Sequence, residues 1–177
     1  MLLNISSTNA NKQKFLQYLF LLVGAILFHI ILLDFTKIYD VTPDLYIILV
    51  VFITIREGRF IGLLAGFSIG LIVDFIMPDV IGTNALTKTI AALIASFFYR
   101  EEKNATSKIL KSYRFILIVL LSVLMHNLVY FFFYIKTSEQ RFSFLYLEYG
   151  LATTIYTTFF AILIRLFQIP SNKMRYK

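Results

Sequence analysis

GRFIGLLAGFSIGLIVDFIMPDVIG, residues 58–82, is the stretch whose reading decides the fold. Gly58, Gly62, Gly66 and Gly70 recur every fourth residue, and Asp74 continues the step. Positions four apart on a helix stay on one face and drift by roughly 40° per step. These five positions therefore form a stripe nearly free of side chains on a helix otherwise made of Phe, Ile, Leu and Val. In water such a helix is poor, because each interior Gly costs about 1 kcal/mol against Ala. In a bilayer the same stripe lets a second helix backbone approach closely. Asp74 is the first charge after Arg59, and a carboxylate at that depth avoids lipid. The segment reads as a membrane helix with a packing face. The stripe sweeps about 160° of the helix surface, which is wide for one straight contact. It is expected to pack inside the chain, with reception of a partner's helix as the competing use.

Composition points the same way. The 177 residues are 59% hydrophobic and 15% charged, with a mean hydropathy of +0.78, which places the chain among membrane proteins. The whole of residues 1–177 reads as a single membrane domain. No Cys is present, so neither a disulfide framework nor a thiolate metal site is available.

Outward from the stripe, six transmembrane helices are predicted. Phe15–Leu33 reads as a retained first span, since no A-x-A-like cleavage site follows it. Thr42-Pro43-Asp44 gives a cap, a first-turn proline and an acid, starting a second helix near Pro43 that ends near Ile55. Its length is only roughly 20 Å, short of the hydrocarbon thickness. Phe60–Met77 is stopped by Pro78; Asn84 can cap a fourth helix, Ala85–Tyr99; Phe115–Ile135 and Phe144–Phe167 complete the set. Polar segments are residues 1–14, the basic stretch 100–114 and a basic tail, 168–177.

Charge orients the bundle. With both termini on the cytoplasmic side, thirteen Lys and Arg fall inside, three (Lys37, Lys136 and Arg141) fall outside, and Lys88 lies within a helix. That bias fits the positive-inside rule. The net charge of +7 is then explained by anionic lipid, and no nucleic acid is required. The acceptor motifs at Asn4 and Asn104 lie on the cytoplasmic side, which removes glycosylation.

Ionisable and amide groups inside the spans carry the chemical information, because each is costly in hydrocarbon. His29, Asp74, Lys88 and Glu148 fall about one turn from the outer ends of their helices, and His126 and Asn127 lie somewhat deeper. Asp74 and Lys88 flank one short loop, so the third and fourth helices can bring them together. Snorkelling to the interface is the alternative for Lys88 and Glu148. His29 and the His126-Asn127 pair suit interhelical hydrogen bonding, and Thr153, Thr154, Thr157 and Thr158 suit back-bonding to their own helix. No P-loop, G-x-S-x-G or H-E-x-x-H occurs, and two histidines on different spans make no metal site by spacing. No enzyme activity and no cofactor are expected.

Pro43-Asp44, Arg56-Glu57-Gly58, the glycines 62 and 66, Gly70-Leu71-Ile72-Val73-Asp74, Gly82 and Leu86 together resemble the rod shape-determining MreD family, most strongly over residues 43–96. Lys88 has no place in that pattern. The resemblance implies a non-enzymatic scaffold of the bacterial cell-elongation machinery, multi-pass in the cytoplasmic (inner) membrane. It implies binding to the single-span protein MreC and, through it, to actin-like MreB and a RodA–penicillin-binding-protein peptidoglycan synthase. It also implies a fold similar to the substrate-binding subunits of energy-coupling-factor transporters. That likeness supplies the competing function, a solute-binding or vitamin-binding subunit. Such subunits dock through an A-x-x-x-A surface on the first helix, where this chain has only Gly24-Ala25. An Ala91-x-x-x-Ala95 pair lies in the fourth helix, where internal packing is expected.

Overall fold

The computed structural model describes residues 12–28, 41–77, 80–134 and 146–168, and every regular element among them is helical. The chain divides into two units, Met1–Lys37 and Ile38–Lys177. The first contributes one helix, α1, over residues 12–28.

The second unit is built around α2, Leu45–Glu57. Nine of its thirteen residues are buried, from Tyr46 to Ile55. A helix apolar all round belongs in the interior, and α2 packs against each of the four long helices of its unit. The shortness read in the sequence is therefore met by protein on every side. Asp44, rather than Thr42, is the cap: its Oδ1 accepts from the Ile47 amide at 3.2 Å. Gly58 ends the helix at φ 97°, a left-handed conformation that excludes most residues.

Next come α3, Arg59–Ile76, and α4, Thr83–Ser96, which form the most extensive helix pair in the bundle. The reason is the stripe. Gly62, Gly66, Gly70 and Asp74 are all buried. A Cβ on Gly66 would stand 2.7 Å from the Lys88 carbonyl oxygen and 3.1 Å from the Ala92 methyl. One on Gly70 would strike the Asn84–Ala85 backbone, and one on Gly62 the Thr54 side chain of α2. Gly58 faces the Tyr99 ring. The glycines thus lie against α2, α4 and the residue beyond it, inside the chain. Phe60, Leu64, Phe67 and Phe75 cover the opposite, exposed face of α3.

The basic segment 100–114 is folded further than its polarity suggested. It carries a short helix, α5, Lys103–Leu110, pinned where Thr106 Oγ1 donates to the Arg100 carbonyl at 2.7 Å. Ile109 anchors α5 in the apolar core, with Ile47, Val51 and Ile55 of α2, Ala91 and Ala95 of α4, and Ala161. The same core takes Phe115, Val119 and Val123 from α6, Tyr113–Tyr134. A π-helical turn, Tyr146–Gly150, leads into α7, Leu151–Gln168.

Among the described residues, three stretches are long and apolar enough to cross a membrane: Arg59–Ile76, Tyr113–Phe133 and Tyr146–Leu166. At 13 and 14 residues, α2 and α4 fall short of that length. Both are largely buried by their neighbours, which supply the environment that lipid would otherwise provide.

Candidate functional site

A cluster of buried polar side chains of the second unit lies at one end of the bundle, around the start of α2. Lys88, on the second turn of α4, is 1% exposed and is the largest fully buried side chain described. A lone ammonium there would be prohibitive. Its Nζ donates to Asp44 Oδ2 at 2.9 Å and to Asn84 Oδ1 at 2.8 Å. The Tyr46 ring lies with its centroid 5.8 Å from the ammonium, within cation–π range. Asp44 is the cap of α2, so one carboxylate both starts that helix and neutralises the cation.

Asp44 is held from a third side. Its backbone N–H donates to Thr157 Oγ1 of α7 at 3.0 Å. His126 of α6 places Nε2 3.8 Å from Asp44 Oδ2, a distance for electrostatic contact rather than a hydrogen bond. Its ring stacks on Tyr130 with centroids 5.9 Å apart. The neighbouring Asn127 donates to the Gly150 carbonyl and to Thr154 Oγ1, each at 2.9 Å. Thr154 in turn donates to the Gly150 carbonyl at 2.7 Å. The polar network therefore joins α2, α4, α6 and α7. Asn84 Nδ2 and His126 Nδ1 are buried within it without a hydrogen-bond partner.

Asp74 does something different from the pairing with Lys88 that the hairpin suggested. Its carboxylate accepts from the backbone amides of Gly82 at 3.0 Å, Asn84 at 2.9 Å and Ala85 at 2.9 Å. These are orphan donors at the N-terminus of α4, where the helix dipole also favours an anion. Asp74 thus caps a helix from the neighbouring one, while Lys88 turns to Asp44 and Asn84. Asn84, expected to cap α4, sits inside its first turn and turns its side chain to the ammonium instead.

Of the remaining sequence-selected residues, Glu148 is exposed on the π-helical turn, apart from the network. His29 lies outside the described residues. Thr154 and Thr158 back-bond to their own helix at 2.7 Å, whereas Thr157 accepts from Asp44. Sequence reasoning missed Asp44 as a site residue, having assigned it to the helix start alone. The signal was present: an acid at a span boundary and an unplaced Lys within a span at matching depth.

The site holds a neutralised ion pair, capping bonds and amide–hydroxyl bonds. No group of three or more His, Cys, Asp or Glu placed to hold a metal ion occurs among the described residues. What the arrangement does chemically is fix the relation of four helices.

The family described as rod shape-determining protein MreD matches the chain over residues 10–170. No curated protein matches the chain, and no solved structure does.

Proposed function

We propose, from the premise that the chain belongs to the rod shape-determining protein MreD family, that it is a membrane scaffold of bacterial cell elongation. The observation that carries this reading is the extent of the family match, which spans nearly the entire membrane unit. The site agrees with it. Its charged groups each have structural partners: Lys88 has Asp44 and Asn84, and Asp74 has three amides. A structure-holding role suits such groups better than turnover.

The finer reading is a six-span protein of the inner membrane with both termini in the cytoplasm, binding the single-span MreC and acting through it on MreB and a RodA–penicillin-binding-protein synthase. In this arrangement Asp44, Lys88 and Gly150 lie toward the periplasm, and the segment 100–114 lies at the cytoplasmic face. Because α2 and α4 occupy the glycine stripe, MreC takes a face other than that one.

Two experiments test it. The full chain, purified in mild detergent, should carry with it a single-span protein that has a periplasmic domain. Recovery of an ATPase module or a bound vitamin would instead establish a transport subunit. Single cysteines introduced at Lys37, Asp79 and Ser138 should react with an impermeant thiol reagent on spheroplasts. Cysteines at Asn104 and Asn172 should stay unlabelled, and labelling at Asn104 would invert or break the proposed topology.

A further inference from the structure

At the end of the bundle opposite the Lys88 network, the segment between α4 and α6 folds into a groove of about 770 Å3. That size is in the range of small-molecule sites. Arg100, Lys108 and Arg114 line it, with Ala105, Ile109 and Tyr113 supplying an apolar floor and wall. Glu101 and Glu102 also contribute to the lining. The walls are fixed: Ile109 is part of the apolar core, and Thr106 is bonded to the Arg100 carbonyl. From α7, the Arg165 guanidinium closes in on the same turn, donating to the Lys111 carbonyl at 3.3 Å.

Arg100, Lys108 and Arg114 have no ion-pair partner among the described residues. Cations left unpaired around a shaped concavity attract an anion. Beside them, Tyr113 is 63% exposed and begins an exposed apolar face of α6 that continues through Leu117, Leu121 and Met125. A ligand that fits presents a phosphate to the cations and an apolar chain to Tyr113 and the α6 face beyond it. We propose that this groove binds the phosphodiester headgroup of an anionic glycerophospholipid as a discrete site, with its acyl chains running down the exposed face of α6. Basic pockets at the cytoplasmic ends of membrane helices take such headgroups. The proposal rests on the scaffold reading only in placing residues 100–114 at a membrane face, and it needs no protein partner.

The test is native mass spectrometry of the full chain after exposure to equimolar phosphatidylglycerol and phosphatidylcholine, reading the ratio of lipids retained. The wild type should retain phosphatidylglycerol preferentially. The triple variant Arg100→Gln, Lys108→Gln, Arg114→Gln should lose about tenfold or more of that preference. Its three side chains are exposed, so it should melt at the wild-type temperature. Removing the same charge from the tail, with Lys173→Gln, Arg175→Gln and Lys177→Gln, should leave the preference intact. Glu101→Gln with Glu102→Gln should strengthen it. Equal losses in the two triple variants would show a diffuse attraction and overturn the site. So would an unchanged ratio in the groove variant, or no gain in the Glu double variant. Release of the lipid by millimolar inorganic phosphate would assign the groove to free phosphate instead. Loss of the single-span partner alters none of these readouts, so the scaffold reading and this one fail separately.

Discussion

The Asp44–Lys88 pair makes the sharpest test of the site, because its two members are buried unequally. Lys88 is 1% exposed on its side chain and Asp44 is 18%. Asp44→Asn keeps the shape and a carbonyl acceptor but removes the negative charge, leaving the ammonium with neutral partners in a dry setting. Breaking a buried pair from one side typically costs about 3–5 kcal/mol, and here the full penalty applies. Lys88→Met is the milder change. The carboxylate it strands keeps the Ile47 amide, 3.2 Å away, and enough exposure to draw solvent, so about half that loss is expected. The double variant removes both charges and should be less damaged than Asp44→Asn alone, giving a coupling energy of about 2–3 kcal/mol. The assay is thermal unfolding of detergent-purified protein. A loss of about 3 kcal/mol corresponds to a fall of roughly 6–12 °C for a chain of this size. Losses that simply add, or a Lys88→Met variant worse than Asp44→Asn, would refute the reasoning.

The same assay separates the other contacts. Asp74→Asn should cost about 2–3 kcal/mol, since one of the two accepting oxygens becomes an NH2 that faces the α4 N-terminal amides and the charge favoured there is lost. Its coupling to Lys88→Met should be clearly smaller than that of Asp44→Asn. Gly66→Leu and Gly70→Leu should prevent recovery of monodisperse protein, because even one added carbon would meet α4 backbone. Gly24→Ala, inside α1, should leave the melting temperature unchanged or slightly raised, since Ala is the better helix former. A well-folded Gly66→Leu protein that had lost only its partner would make the stripe a docking face after all. Asn127→Leu, which strips two bonds from the start of α7, should cost about 1–3 kcal/mol.

Helical class and the glycine face were legible because both are local. A spacing of four states which side of α3 lacks side chains, whatever lies opposite, and the apolar run states that the helix sits in lipid or protein. The partner of Lys88 was not legible, for a reason that is equally physical. Asp74 lies across a short loop from it, and proximity along the chain made that pairing attractive. The amides at the start of α4 are closer to Asp74 still, and a helix N-terminus binds a carboxylate without any side-chain cation. Asp44, 44 positions from Lys88, comes within reach only because α2 is short and central, which depends on four neighbours at once. Helix α5 escaped notice for another reason. A polar stretch with five cations reads as a loop until a single residue, Ile109, is seen to enter the core.

The ion pair is costly enough to ask what it supplies. Between helices in a membrane, apolar packing discriminates weakly, since lipid tails are as apolar as the helix surfaces. A bundle held only by such contacts has many packings of similar energy. Lys88 changes that. Sliding α4 by one residue turns its side chain by about 100° and takes the ammonium away from Asp44, Asn84 and Tyr46 together. The same slip draws the α4 amides off Asp74 and carries the Lys88 and Asn84 backbone away from the gaps at Gly66 and Gly70. Three independent features therefore fix one register of α4 on α3 and α2, and Thr157 and Asn127 extend the constraint to α6 and α7. Buried ionic groups serve best as selectors of a single arrangement. On the scaffold reading proposed above, that selection matters more than added stability.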